Sequence, residues 1–348
     1  MNHLKRHSIL FISLGLLTLA ALLADLMFGS VSFTWEDLGQ VLSGSQETEN
    51  LAFILWKIRL PKALTGILVG AGLSVSGLMM QTLFRNPLAG PYVLGISSGA
   101  SLGVAILMMA SSLFTAGATS GILLVGHWGM VLAAMFGALL VMLLVILVSM
   151  RIADSVSILI IGIMFGSAAG ALVSVLQYFS DPDSVHSFLV WTFGSIAGVS
   201  WSQLGILVPL VIAGLFAAVV LQKPLNAFLL GENQARALGV NVKRIRLLVV
   251  ILTSLLTGAL TAFTGPIAFV GIAVPHLARM LFRTSDHRLI IPASVLIGSL
   301  LLLVCDILTQ VPTGGQVLPI NSVTALFGAP VVIWVIMSNR KTRNAWKS

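Results

Sequence analysis

Charge is the scarcest feature of this sequence. Only 9% of the 348 residues are Asp, Glu, Lys or Arg, whereas soluble domains average about 25%. A water-soluble chain of this size needs more polar surface than these residues supply. The composition therefore excludes a soluble enzyme, a disordered chain and a nucleic-acid-binding domain. With 57% hydrophobic residues and a mean hydropathy of +1.05, the sequence indicates a polytopic membrane protein.

Cysteine is nearly absent as well. The single Cys305 lies in an apolar run, which excludes a disulfide framework and a thiolate metal site built by one chain. The six histidines show no HExxH or comparable spacing of metal ligands, and nothing resembles the phosphate-binding GxxxxGK[ST] motif. We therefore expect no metal and no cofactor, and any use of ATP requires a partner protein.

Long apolar runs are abundant, and about 20 apolar residues of helix cross a bilayer core. The runs that qualify are 8–28, 61–84, 93–114, 128–149, 156–179, 204–222, 246–264, 289–311 and 320–338. A shorter run at 267–283 contains Pro275, which favours a short or broken span. We predict an all-α membrane protein with about ten transmembrane helices in a single domain, 1–348.

The first apolar run has a second interpretation. Lys5 and Arg6 precede it, and Ala21 to Ala24 resembles a signal-peptidase cleavage site. The run continues through Phe28, however, which is long enough for a full span. We therefore place the transmembrane interpretation first.

The basic residues indicate how the helices are oriented. With both termini in the cytoplasm, the inner segments hold 16 of the 19 Lys and Arg residues, as the positive-inside rule expects. The segments predicted to lie in the periplasm are 29–58, 115–127 and 181–203. Three cations, Lys57, Arg59 and Lys62, break the rule and cluster at the outer end of the second span. Snorkelling to lipid headgroups does not explain why the exceptions cluster.

The predicted spans carry no charge near their centres. Asp25, Asp154 and Asp306 lie toward span ends, where we expect water or headgroups to reach them. Ion-coupled carriers usually need buried ionisable groups at mid-membrane, so a secondary transporter is the weaker hypothesis and a membrane-embedded enzyme weaker still. Small residues repeat every four positions on one helix, which predicts close helix packing or the border of a translocation path. They are Gly162, Gly166 and Gly170.

The most informative polar segment is the predicted cytoplasmic loop 223–246. Glu232 to Leu238 is predicted to form a short helix ended by Gly239, and Asn241 can cap the next helix. A helix-turn-helix of this kind is suited to docking a partner protein. An ordinary loop with positive-inside charge remains an equal alternative.

Five blocks of this sequence resemble, in order, the FecCD-type permeases of vitamin B12, iron-siderophore and haem ABC importers. The coupling-loop block reads LGENQARALGV. The others read RLPKALTGILVGAGLSVSGLMMQTLFRNPLAGPYVLGISSGASLG, GPIAFVGIAVPHLAR, TSDHRLIIPAS and LPINSVTALFGAPVVIW. The resemblance implies the type II ABC importer permease architecture in the cell inner membrane. It also implies a homodimer, two cytoplasmic ABC ATPase subunits, a periplasmic substrate-binding protein and no nucleic-acid partner.

The resemblance assigns roles to residues of this chain. ATPase coupling falls to Gly231, Glu232, Ala235, Arg236, Leu238 and Gly239. Docking of the binding protein falls to Arg59, Lys62 and Gln310, although Lys62 stands where the family motif has Arg and Gln310 stands where some relatives carry Arg. Ser155 and Val156 match the cytoplasmic gate, and His276 is expected to be structural. We expect an iron chelate such as a ferric siderophore or haem as cargo, with cobalamin as the alternative.

Overall fold

The computed structural model describes residues 3–29, 31, 33–43, 49–109, 126–151, 155–311 and 317–344. Within those residues the secondary structure is helical, and no strand occurs. This follows from the solvent, because a lipid core offers no partner for backbone N–H and C=O groups and a helix pairs them internally. The predicted all-α class is confirmed.

Among the described residues, ten apolar helices correspond to the ten predicted runs. Seven lie in stretches long and apolar enough to cross a membrane. They are α1 (His3–Met27), α4 (Leu60–Leu83), α6 (Gly126–Arg151), α7 (Ser155–Phe179), α9 (Trp201–Val220), α12 (Val242–Thr264) and α14 (His287–Thr309). Shorter apolar stretches occur in α5 (Ile96–Met109), α13 (Val270–Phe282) and α15 (Ile320–Asn344). Because three are short, the count of ten complete spans stays a prediction.

Shorter helices join the apolar ones. They are α2 (Trp35–Ser43), α3 (Glu49–Phe53), α8 (Pro182–Thr192), α10 (Gln222–Leu229) and α11 (Glu232–Ala237), together with a 3₁₀ turn at Pro91–Leu94. Asp181 caps α8 by accepting a hydrogen bond from the Ser184 amide, which lowers the pKa of the exposed Asp181 carboxyl. Gly194, just past the end of α8, has a φ of +73°, which suits glycine.

A π-helical turn at Ile54–Arg59 connects α3 to α4, and the three form one continuous helical run. The amide of Leu60 donates to the carbonyl of Leu55, five residues earlier. The next residue, Pro61, has no amide hydrogen, and a proline ring crowds the carbonyl four residues before it. A wider turn accommodates both features. The turn buries Arg59 and leaves Lys57 exposed.

The chain divides into two compact units. Unit 1 comprises 1–75, 195–212 and 268–348, and unit 2 comprises 76–194 and 213–267. In unit 1, α14 packs against α1, α13 and α15. Gly70 on α4 and Gly298 on α14 bring the two backbones into direct contact, because a side chain on either would overlap the other's carbonyl.

Unit 2 is built around α5. This helix packs against α6, α7 and α12. Gly99 and Gly103 on α5 lie against Gly137 and Ala133 on α6, and an added Cβ at either α5 glycine would overlap a carbonyl of α6. Close backbone approach of this kind replaces the hydrophobic effect as the source of helix association in lipid.

Gly137→Ala should destabilise the protein, since the added methyl would overlap the Gly99 carbonyl oxygen. Overpacking of this kind costs about 1–3 kcal/mol. Gly205→Ala on α9 is the matched control, because nothing lies within 4 Å of its Cβ position, and alanine there should leave the midpoint unchanged or raise it. Thermal unfolding in detergent measures both variants, and equal midpoints would contradict the packing argument.

Candidate functional site

The segment 223–246 folds as a compact hairpin in unit 2, which we call the coupling hairpin. Helix α10 leads into α11, and α12 follows after a tight turn. Gly231 and Gly239 occupy the two turns with φ of +111° and +83°, which only glycine adopts without strain. The Asn241 side chain caps α12 by accepting a hydrogen bond from the amide of Arg244 at 3.1 Å. The predicted short helix and the predicted cap are both present.

The hairpin presents some of its predicted residues and buries another. Leu238 is 64% exposed, and Arg236 and Gly239 are exposed beside it. Ala235 is fully buried, so it supports the hairpin from below. Leu230, in the same hairpin, is 59% exposed, and exposed apolar side chains of this kind are a typical feature of a protein-docking surface.

Glu232 connects the hairpin to the helix that follows. Its Oε1 accepts a hydrogen bond from Nη2 of Arg246 at 2.6 Å, and its Oε2 lies 3.6 Å from Arg236. Arg246 is 3% exposed, so this ion pair is largely shielded from water. It joins the first residue of α11 to the first turns of α12. The pair therefore ties the hairpin to the base of α12.

Sequence reasoning missed the role of Arg246, which was counted only as a positive-inside charge. A signal was present, since Glu232 is the only acid in a segment with five basic residues. An isolated acid among cations is expected to pair with one of them. The choice between Arg246 and the exposed Lys243 or Arg244 depends on burial, which only the fold reveals.

The predicted docking cations face into unit 1. Nζ of Lys62 lies 2.5 Å from Asp306 Oδ2 and 3.8 Å from Asp25 Oδ1. Arg59 is 5% exposed and Lys62 8% exposed, and Gln310 donates to Asp306 at 3.2 Å. The structure thus brings Arg59, Lys62 and Gln310 into one cluster, while Lys57 remains on the surface.

The expected access of water to the span-end carboxylates is wrong for two of them. Asp25 is fully buried and Asp306 is 4% exposed, because Lys62 and the surrounding helix ends cover them. Asp154, the third of these acids, lies outside the described residues. Span position alone could not reveal that acids from two distant helices meet one lysine.

The Arg59 guanidinium completes the cluster. It donates hydrogen bonds to the backbone carbonyls of Leu26 and Val31 and lies 4.3 Å from the centre of the Phe33 ring. Its hydrogen bonds go to carbonyls at the end of α1 and just beyond it. Arg59 therefore ties the end of α1 to the π-helical turn.

The predicted gate and the glycine stripe lie in unit 2. Ser155 begins α7 and Val156 is 56% exposed, while 152–154 fall outside the described residues. Gly162 and Gly166 lie against the backbone of Leu94 and Gly95, and Gly170 has nothing within 4 Å of its Cβ position. His276 on α13 is 7% exposed.

This architecture is that of an ABC transporter permease. A solved structure of an inward-facing, metal-chelate type ABC transporter matches it with a TM-score of 0.82 at 29% identity, over 95% of this chain and 99% of that one. The FecCD transport family model matches residues 17–338, so the chain belongs to the FecCD transport family.

Curated relatives agree with this assignment. The vitamin B12 import system permease BtuC of Klebsiella pneumoniae subsp. pneumoniae is 37% identical over 94% of this chain and 93% of its own length. BtuC of Salmonella typhi is 35% identical over 95% of both chains. The chain is therefore a multi-pass protein of the cell inner membrane and a permease subunit of an ABC importer. An importer of this class works with ATPase and binding-protein partners.

Arg246→Gln should loosen the coupling hairpin, because it removes the charged partner that lies 2.6 Å from Glu232, whereas Arg236 lies at 3.6 Å. Losing a largely buried charged partner costs about 1–3 kcal/mol, which is roughly five- to a hundredfold in local opening. Trypsin cleavage after the exposed Arg236, followed by mass spectrometry in detergent, measures that opening.

The control is Arg244→Gln, since Arg244 is exposed near the same turn. It should leave cleavage after Arg236 unchanged. The exchanged pair Glu232→Arg with Arg246→Glu should restore part of the protection. Equal cleavage rates in all variants would show that the ion pair does not hold the hairpin.

Proposed function

We propose that this permease carries a bulky metal chelate into the cytoplasm, and that a corrinoid such as vitamin B12 is its cargo. The observation that supports this most strongly is the similarity to BtuC permeases, 35–37% identity over almost the whole chain. The cargo class also agrees with the metal-chelate type of the solved relative.

A ferric chelate is the second candidate cargo. Sequence analysis placed it first, and the metal-chelate type of the solved structure is compatible with it. The names of the relatives at 35–37% identity do not specifically favour iron. Corrinoid and iron cargoes are both large and rigid, so one permease architecture suits either of them.

The proposed assembly is a homodimer with two ATPase subunits on the cytoplasmic side and a binding protein on the periplasmic side. The coupling hairpin is the ATPase contact, with Leu238, Arg236 and Gly239 presented outward. Closure of the ATPase pair displaces the hairpin. The Glu232–Arg246 ion pair then passes that displacement to α12.

The remaining predicted residues have proposed roles in the same cycle. Arg59, Lys62 and Gln310 serve docking of the binding protein at the outer end. Ser155 and Val156, at the start of α7, form the inner gate. Gly162 and Gly166 pack against the backbone of Leu94 and Gly95, and the exposed Gly170 leaves a flat helix face beside the pathway.

Uptake into proteoliposomes tests the cargo. Permease, ATPase and binding protein are reconstituted, and radiolabelled cobalamin is compared with a ferric siderophore and haem. We expect saturable, ATP-dependent cobalamin uptake. Uptake of only an iron compound would overturn the corrinoid assignment. Uptake driven by an ion gradient without the ATPase would favour a secondary transporter.

Leu238→Asp should weaken ATPase binding, because it places a charge where the hairpin presents its most exposed large apolar side chain. Loss of a central apolar contact costs about 2 kcal/mol or more, roughly thirtyfold in affinity. Val311→Asp makes a similar change at an equally exposed position, 63% exposed, on the predicted outer side. It should leave ATPase affinity, measured by biolayer interferometry, unchanged. Equal ATPase affinities of the two variants would show that the hairpin is not part of the ATPase interface.

A further inference from the structure

Four charged side chains and one amide form a buried cluster in unit 1, which we call the outer ion cluster. They are Asp25 on α1, Arg59 in the π-helical turn, Lys62 on α4, and Asp306 and Gln310 at the end of α14. The charge distribution places these helix ends on the periplasmic side. The cluster therefore lies at the level where a binding protein docks.

Lys62 is shared unequally between two acids. Its ammonium is 2.5 Å from Asp306 but 3.8 Å from Asp25, and that second distance is too long for a hydrogen bond. Neither oxygen of Asp25 accepts a hydrogen bond from a nitrogen or hydroxyl donor among the described residues, and the Asp25 carboxyl lies against that of Asp306. Arg59 does not donate a hydrogen bond to Asp25, because its hydrogen bonds go to backbone carbonyls. One ammonium thus serves two carboxylates.

Such an arrangement is costly as a purely structural contact. The free-energy cost of removing charges from water is offset only when each charge is well paired. Apolar side chains of similar size would join the helix ends at a lower free-energy cost. Asp25 is fully buried and poorly paired. In a chain with only 9% charged residues, four charges at one outer site point to a function.

Lys62 is the group of the outer ion cluster that a partner on the periplasmic side could contact. Its side chain keeps 10% exposure, whereas the Asp25 side chain has none. Lys57 is exposed about one turn earlier and adds a second positive charge. A carboxylate approaching from outside would be attracted by both cations. It would then compete with Asp25 and Asp306 for the Lys62 ammonium.

We propose that Asp25 and Asp306 occupy Lys62 in the resting permease and compete with acidic side chains of the docking binding protein. Docking exchanges an internal ion pair for an intermolecular one, and Asp25, with the weaker pair, is the first to lose contact. Release of Asp25 loosens the junction of α1 with α4, so docking is communicated to the outer helix ends. This inference rests on the proposed docking role.

The competition predicts effects of opposite sign. Asp25→Asn preserves shape but removes a competitor, so binding-protein affinity should rise roughly three- to tenfold. Lys62→Gln should lower it by a similar factor. In the double variant Asp25→Asn with Lys62→Gln, the gain in binding-protein affinity should disappear, because no Lys62 ammonium remains for Asp25 to release. A purely structural cluster predicts instead that Asp25→Asn leaves affinity unchanged or lowers it.

Affinity is measured for the full transporter in nanodiscs, using the binding protein from the uptake assay. Glu36→Gln, an exposed acid on the predicted outer side, is the matched control for general electrostatics. It should change affinity less than twofold. If Glu36→Gln tightens docking as much as Asp25→Asn, or if Asp25→Asn does not tighten it, the proposal is overturned.

Lysine acetylation tests the internal pairing without any partner protein. In wild type, Lys57 should react quickly and Lys62 slowly, and Asp25→Asn should accelerate labelling of Lys62 alone. Unchanged Lys62 labelling in Asp25→Asn would overturn the proposal. Suppose that Lys62 labelling is accelerated but the binding protein binds neither the wild type nor any variant. The internal pairing would then be supported, and the proposed docking function would be wrong. Accelerated labelling with unchanged measurable affinity would overturn the competition.

Discussion

The lipid core dictates most of this structure, because every polar group inside it must find its partner within the protein. The backbone meets this demand by forming helices. Side chains meet it by being apolar, and the helices then associate through glycine contacts such as Gly70 with Gly298 and Gly99 with Gly137. The few charged side chains are retained where a partner is available. Their pairings therefore identify the places where the protein does more than span the membrane.

Two such places carry the functional argument. On the predicted inner side, Glu232 and Arg246 make the coupling hairpin continuous with α12. On the predicted outer side, Lys62 joins helices that are distant in sequence. In both, one ion pair connects a surface suited to a partner protein with a long helix. In the proposed assembly, movement of either partner would reach the membrane domain through a single contact.

The parts that the sequence predicted well are those that depend on neighbouring residues. The apolar runs, the short helix before Gly239 and the Asn241 cap depend on local backbone chemistry. The pairing of Lys62 with Asp25 and Asp306 depends on helices that place these acids 37 and 244 residues away along the chain. No local pattern encodes that meeting, so the sequence does not reveal that Arg59 and Lys62 are buried. The family blocks gave the class of protein, whereas cargo choice has no comparable local signal.

The π-helical turn has a consequence for how this region can vary. It holds one residue more than an α-helical turn of the same height, so shortening it by one residue would still leave a continuous helix. The change would, however, rotate every preceding side chain by about 100° relative to α4. Trp56 and Lys57 would then point in new directions while Lys62 stayed in place. A single-codon deletion here could change the direction of the side chains that precede α4 without unfolding the protein.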